Sequence, residues 1–463
     1  MVIFKTTYSQ IDVTQSNIKN KLSKTVPSLL VIDSDTLYAQ SQIRLFYQYH
    51  NYSPIWTKFT LTPTGLQELI DIIEQSSEDG FNPMDYHLVK IKAFQKKIIY
   101  VNQQKTQTPL EIANIDILIS DAFLTLALHN YAGRIRSKGL NHDWGIFFKE
   151  LSLIDFLHES IQKNNLKLSL NSLKPPYQEY HHLQKVLIQY QKKAALIPDS
   201  ISLNDHISKI IINMERWRWV SKSTDSVYII VNIPAYHLWL YHYDTIIMSM
   251  KIIVGKRSNP TPSFNSKISY IVLRPQWNIP ISIMKNEILP EVLKDTSYLS
   301  KNNIEIYHNW NGSTTNTISP NSIAWDTVNI NHFPYKLIQS ASSVNPLGEI
   351  KFMFPNQFNV YLHDTPFKSH FNMKIRTLSH GCIRIEKAKE LASYLTQNDS
   401  LLQIKTYKEY FSANERRNLS NSIPIFINYW TVWTENSSII YHKDIYNKDV
   451  ALEKIMRQKP YLF

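Results

Sequence analysis

A single cysteine, Cys382, stands in 463 residues, so the chain can form no disulfide within itself and offers no Cys-x-x-Cys pair for a structural zinc. That economy fits an oxidising compartment without demonstrating one. No hydrophobic run is long enough to read as a membrane span. The most apolar stretch, Ile115 to Leu128, is interrupted by Asp116 and Asp121 and reads as a core helix. Nor does Met1 to Asn51 hold an export signal, its best apolar run being Leu29 to Ile32. The lysines form no stripe, and no helix-turn-helix, finger or aromatic RNA-binding motif is present, which argues against nucleic acid as a partner. No internal repeat is visible.

What is there describes an ordinary globular chain: 43% hydrophobic and 19% charged residues, enough length for two or three domains at about 150 residues each. A formal charge of +12 favours an anionic partner, whether nucleic acid, an anionic membrane surface or an acidic polymer, and by itself does not choose among them.

The lone thiol sits in the run Ser379, His380, Gly381, Cys382, Ile383, Arg384, and Gly381 is one of only nine glycines in the chain. A thiol attacks carbonyls as thiolate, and with an ordinary pKa of about 8.5 it needs a nearby imidazole or other positive group. His363, nineteen positions upstream in Val360, Tyr361, Leu362, His363, Asp364, Thr365, Pro366, is the expected base if a strand over 358–363 lets the chain fold back. His380 is too near in sequence for easy proton transfer. Its backbone, with those of Gly381 and Cys382, can form a nest of N–H groups, an oxyanion hole for which Gly381 supplies positive φ. Arg384 would hold a carboxylate by two hydrogen bonds, with Arg376 a weaker second candidate. Taken singly, each residue has a plain reading: a buried small hydrophobe, a hydrogen-bonded strand histidine, a surface arginine. A zinc site of Cys382, His363 and His380 is the other sharp alternative, and a poor ligand set. Together the residues point to a cysteine nucleophile.

The stretch Tyr361 to Ile385 resembles the catalytic motif of the L,D-transpeptidases, the YkuD-type cysteine enzymes of bacterial cell-wall cross-linking. Val227 to Pro234, Ile252 to Lys256, Thr261 with Pro262, and Pro275 to Pro280 resemble the opening of that domain in the large, multi-domain branch; Met214, Glu215, Arg216, Trp217, Arg218, Trp219 resemble its lead-in. Phe46 and Tyr47, Tyr52 to Trp56, and Asp121 to Leu124 resemble its helical scaffold domain. The resemblance implies that Cys382 is acylated at the third residue of a peptidoglycan tetrapeptide stem with release of D-alanine, and that a side-chain amine of a second stem takes the acyl group. It also implies acylation of the thiol by carbapenem-type β-lactams, a periplasmic location and no cofactor or metal. By position, His363 is the base, Cys382 the nucleophile, and the Gly381 and Cys382 amides the oxyanion donors; Arg384, His380, Ser379 and Tyr361 would contact substrate. Only Lys192 to Asn213 separates the Tyr180 region from Met214, too short for the peptidoglycan-binding module common in that branch, so targeting must rest elsewhere.

The expected fold is α+β: a weakly ordered lead-in over 1–35, a mostly helical scaffold over 36–220, and a β-rich catalytic domain over 221–460 with an inserted capping subdomain at 281–350. Helical spacing marks Leu66 to Glu74, Ile115 to Tyr131, Leu183 to Tyr190 and Ile207 to Trp217. β-Branched and aromatic runs mark Val227 to Ile233, Tyr236 to Tyr241 and Ile246 to Val254 as a meander, with Phe352 to Leu362 before the motif. Ile425 to Trp433 and Ser438 to His442 are expected to close the catalytic sheet. In the cap, Trp310 and Trp325 read as core packing first and substrate platforms second. Two rivals stand beside transfer: hydrolysis of the same acyl-enzyme, making an L,D-carboxypeptidase or endopeptidase, and a non-catalytic basic wall-binding protein.

Overall fold

The computed structural model describes residues 8–23, 30–56, 63–100, 107–135, 144–145, 151–220, 225–243, 245–308, 317–397, 410–435 and 438–458. Backbone contacts divide the chain into two units, one of residues 1–222 with 430–463, the other of residues 223–429.

The first unit is helical: α1 (Tyr8–Leu22), α2 (Gln40–Tyr49), α3 (Pro63–Gln75), α4 (Leu88–Tyr100), α5 (Pro109–Ala132), α6 (Leu153–Gln162), α7 (Leu166–Ser172), α8 (Gln178–Leu196) and α9 (Ile201–Arg218). α1 falls where weak order was expected. Its buried stripe is one residue per turn, Thr14, Ile18 and Leu22, too narrow and too polar at its start to register as periodicity.

At the centre lies α5. It begins earlier than expected because Thr108 and Glu111 form a reciprocal capping box around Pro109. At 24 residues it is long and apolar enough to cross a membrane, but 94% of its most apolar window is buried inside the unit, so here it is a core helix. The acids that interrupt its apolar pattern are used internally. Asp116 accepts from Tyr47 Oη and from the Ile55 and Trp56 amides, and Asp121 accepts from the Tyr38 and Ala39 amides.

Asp121 also pairs with buried His87 at 2.7 Å, and Asp35 approaches the other ring nitrogen at 3.1 Å. Burial alone would lower the His87 pKa; the two carboxylates outweigh it and raise it to about 9. A histidine raised in the folded state contributes stability that is complete below about 6.5 and is lost as pH rises through about 9. The unfolding free energy of the wild type, from urea titrations, should therefore fall between pH 6.5 and 9.5 by an amount on the order of 3 kcal/mol, and His87→Gln should flatten that fall. An unchanged slope in the variant would assign the loss to other groups.

The second unit begins with β1 (Val227–Asn232), β2 (His237–His242), β3 (Thr245–Gly255), β4 (Ser263–Leu273) and β5 (Trp277–Asn278). A small subdomain follows. It has short helical segments between Ile281 and Lys301, then β6 (Ile304–Tyr307), β7 (Thr317–Ile318) and β8 (Lys336–Gln339) in a sheet of order β7-β6-β8-β5. Met284, Leu289, Val292, Leu299, Ile306 and Leu337 give it a core of its own. Trp325 belongs to that packing: its ring stacks on Phe333 and its Nε1 donates to Pro320 O at 2.9 Å. Trp310 lies outside the described residues.

The main sheet is completed by β9 (Ile350–Met353), β10 (Leu362–His363), β11 (Thr377–Ser379), β12 (Ile383–Ile385) and β13 (Glu415–Asn428), with helix α10 (Ala388–Thr396) after β12. Its order is β9-β10-β12-β3-β2-β1-β13-β4, and β4 pairs again with β9, so the sheet closes on itself. β1 and β2 read as near-continuous apolar runs because Ile229, Ile230, Val231, Leu238 and Leu240 are all fully buried.

β13 joins the catalytic sheet as expected, but the last two strands do not. β14 (Val432–Glu435) pairs only with β15 (Ser438–Tyr441), and this hairpin, with α11 (Lys448–Met456), is grouped with the helical unit. The reason is the tryptophan set: Trp217 of α9 stacks on Trp430 at 4.3 Å and on Trp433 at 5.7 Å. Alternation marked these residues as strand and could not say which unit would bury them.

Candidate active site

β10 and β12 run parallel, with Leu362 opposite Ile383 and His363 opposite Arg384. This pairing closes the nineteen-residue separation noted above. Because side chains alternate with period two, Tyr361 and Cys382 share the next row on the same face. On the other side of β10, antiparallel β9 places Lys351 opposite His363. Lys351, His363 and Arg384 thus form one row across three strands beside the thiol. Lys351 was not among the expected residues.

Cys382 is partly exposed. Its Sγ donates to Asn359 O at 3.8 Å, and the backbone N–H and hydroxyl of Tyr361 act on the sulfur as donors. Among the described residues no hydrogen bond joins Sγ to the His363 ring. Burial pushes the thiol pKa up, against smaller lowering by Tyr361, Lys351 and Arg384, so the resting group is a neutral thiol.

His363 is buried, and its Nδ1 lies 2.6 Å from Asp364 O. A carbonyl can only accept, so Nδ1 carries the proton in the neutral ring, and the Leu347 backbone is a second, weaker acceptor beside the ring. Burial first, then the Arg384 and Lys351 charges, lower the His363 pKa to about 3. The expected thiolate favoured by the imidazole is therefore replaced by two neutral groups, because burial penalises both charges and the neighbouring cations oppose a third positive one. The backbone carbonyl, not the Asp364 carboxylate, orients the ring. That carboxylate serves its own loop, accepting from Glu349 N at 3.0 Å and Lys368 Nζ at 2.6 Å.

The residues around the thiol divide by task. Gly381 has φ +115°, and a Cβ there would meet nothing nearer than Asn259 O at 4.0 Å. Backbone conformation, not crowding, makes glycine necessary. Its N–H is occupied, donating to Ser379 Oγ at 3.2 Å, and its carbonyl accepts from Thr261 Oγ1 at 2.8 Å. Ser379 Oγ in turn donates to Cys382 O at 2.5 Å, so this buried serine ties the turn together. The expected pair of oxyanion amides is thereby reduced: of the two, the Cys382 amide alone has no partner among the described residues.

His380 turns away from the thiol. Its Nε2 meets Glu287 Oε1 at 2.5 Å, where Glu287 sits in the π-turn Met284–Ile288 of the small subdomain. Arg376 is structural, with Nε on Ile252 O and its terminal nitrogens on Met373 O and Tyr236 O. Arg384 keeps its place beside the thiol, and its buried Nε has no hydrogen-bond partner among the described residues.

The model of the L,D-transpeptidase catalytic domain (YkuD) matches residues 226–405, and that of the Scaffold domain matches residues 41–187. A putative L,D-transpeptidase of Haemophilus influenzae is 32% identical over 340 residues, 72% of this chain and 66% of that protein, just under two thirds of its length. Among solved structures, an L,D-transpeptidase from Mycobacterium smegmatis aligns at 14% identity over 45% of this chain and 61% of its own, with a TM-score of 0.21. L,D-transpeptidase 1 of Mycobacterium tuberculosis aligns over the same shares at 14% identity and a TM-score of 0.19. With the sequence motif, the barrel that carries it and both domain models in agreement, this chain belongs to the L,D-transpeptidases with a YkuD-type catalytic domain and a Scaffold domain.

Proposed function

We propose that the protein cross-links peptidoglycan in the periplasm, joining the third residues of two stem peptides through a Cys382 acyl-enzyme with release of terminal D-alanine. The observation that carries this reading is the parallel pairing of β10 with β12, which sets a neutral imidazole and the chain's sole, partly exposed thiol on adjoining rows of one sheet face.

In the reaction the S–H leaves Asn359 O and gives its proton to His363 Nε2 as sulfur attacks the carbonyl of the third residue. The Cys382 amide meets the developing oxyanion, and the Gly381 amide joins it only by releasing Ser379 Oγ. His363 then returns the proton to the departing amine, and the side-chain amine of a second stem attacks the thioester. The nearby Lys351 and Arg384 favour negative charge on sulfur and oxygen as it forms. Carbapenem-type β-lactams acylate the same thiol by the same attack. The small subdomain, tied to the motif by the Glu287–His380 pair, covers the acyl-enzyme and disfavours water.

The test is mass spectrometry of the protein and of tetrapeptide stems incubated with it. A protein adduct of stem less D-alanine, together with cross-linked dimers, supports transfer. Adduct with trimmed monomers alone moves the reading to hydrolysis. Unaltered stems and unmodified Cys382 end it in favour of a wall-binding role.

A further inference from the structure

A cavity of about 340 Å³ opens beside the thiol, lined in part by Tyr270, Lys351, Phe354, Asn356, Asn359 and Tyr361. It falls within the size range of small-molecule sites, about 300–1,000 Å³. Two of its wall residues, Asn359 and Tyr361, are those whose backbone and hydroxyl groups engage the sulfur. A group bound there therefore lies next to the nucleophile.

The lining has one charged side chain, Lys351. Its ammonium stands 3.9 Å from the centre of the Tyr361 ring, a face that accepts a cation, and among the described residues it donates no hydrogen bond. Among the described residues no carboxylate forms an ion pair with Lys351. Burial already lowers its pKa, so an unneutralised cation is held at some cost in a half-enclosed site. Other lysines near the site are satisfied: Lys368 by Asp364, Lys389 by Glu349.

We propose that Lys351 and this cavity form a carboxylate-binding subsite adjoining Cys382, which takes the free C-terminal carboxylate of the residue that leaves when the thiol is acylated. The identity of that carboxylate rests on the transpeptidase reading; the subsite itself does not. Arg384 is thereby left to the acylated residue and the oxyanion. Lys351 is a specificity residue: it selects donors ending in a carboxylate over the same donors ending in an amide.

Because the chain has one cysteine, alkylation reads the subsite directly. The full chain is treated with iodoacetate, which carries the carboxylate, and with iodoacetamide, which does not, and the ratio of the two rates at Cys382 is taken by intact mass. One charge-assisted contact at this site should lift the ratio about tenfold over that of Lys351→Met, and Lys351→Arg should keep most of it. If Lys351 merely stabilised the thiolate, both reagents would slow together in Lys351→Met and the ratio would stay fixed, overturning the proposal. It is equally overturned if Arg384→Gln removes the preference while Lys351→Met retains it. Thermal melting of each variant separates misfolding from loss of the subsite, and Lys351→Arg, folded and charged, decides the case should Lys351→Met unfold. Stem turnover is measured separately: a Lys351-dependent alkylation ratio without turnover upholds the subsite and rejects the transpeptidase reading.

Discussion

Cys382→Ala should lower the rate of the proposed stem cross-linking by on the order of 10⁶-fold, and His363→Gln should come close to it, because the proposed nucleophile and its base would fail as a unit. The chain has no second thiol to substitute. The pH profiles distinguish the two roles. With the imidazole pKa lowered to about 3 by burial and by Arg384 and Lys351, the base is already deprotonated across the usual assay range. Wild-type acylation should therefore show no limb near the ordinary histidine value of about 6.5 and should climb with pH toward the raised thiol value. His363→Gln should keep that climb at a much lower level, its residual rate following thiolate alone. Single-turnover formation of the protein adduct, read by mass from pH 5 to 9.5, is the measurement. A sharp rise centred near 6.5 would mean that His363 is exposed to water and that the buried ring described above is wrong.

Arg218→Ala should cost the helical unit about 3–5 kcal/mol, a large part of the 5–15 kcal/mol that holds an ordinary domain together. Arg218 is fully buried. It pairs with Glu215 at 2.9 Å, donates to Asp79 O at 2.5 Å and to Tyr180 Oη at 3.0 Å, and lies over the Phe81 ring at 4.2 Å. Removing it leaves the Glu215 carboxylate buried with the Ile135 amide, 2.6 Å away, as its remaining hydrogen-bond donor among the described residues. Burial already raises the Glu215 pKa despite Arg218, so without the arginine the acid would take up a proton. The loss in Arg218→Ala should accordingly lessen as pH falls, and Glu215→Gln combined with Arg218→Met should recover part of it, since a buried ion pair is costlier to break than to replace. Urea denaturation followed by tryptophan fluorescence reports this unit through Trp217, Trp430 and Trp433.

The α+β architecture and the catalytic segment were legible because each carries a local signature: helical spacing in the first half, β-branched runs in the second, and a thiol set among histidines, glycine and arginine. What was not legible depends on register. Lys351 sits mid-strand in Ile350–Met353, twelve positions before His363, and only the antiparallel pairing of β9 with β10 turns that spacing into adjacency. A lone charge in an apolar strand was the available signal. Ser379 and His380 were expected to contact substrate by their positions in the family motif; residue type could not say that the tight turn sends one inward to Cys382 O and the other outward to Glu287. Gly381 was rightly marked for its backbone, whereas the occupant of its N–H could not be read from residue type. Likewise β-propensity identified Val432–Glu435 as strand, while the choice of unit lay with aromatic stacking over two hundred residues away in sequence.

That last arrangement bears on how the protein is made. Asn213 in the second half of α9 accepts from the Thr431 amide at 2.8 Å, and Arg216 meets Asp449 at 2.7 Å, so the first unit is finished by residues that leave the ribosome only after the barrel. The barrel between them is complete in sequence by Tyr429 and is free to fold while the ribosome is still elongating. The nascent helical half must meanwhile wait with its tryptophan seam unfilled, the interval in which a holding chaperone has something to grip, and a stop codon ahead of α11 would strand the portion synthesised before the barrel.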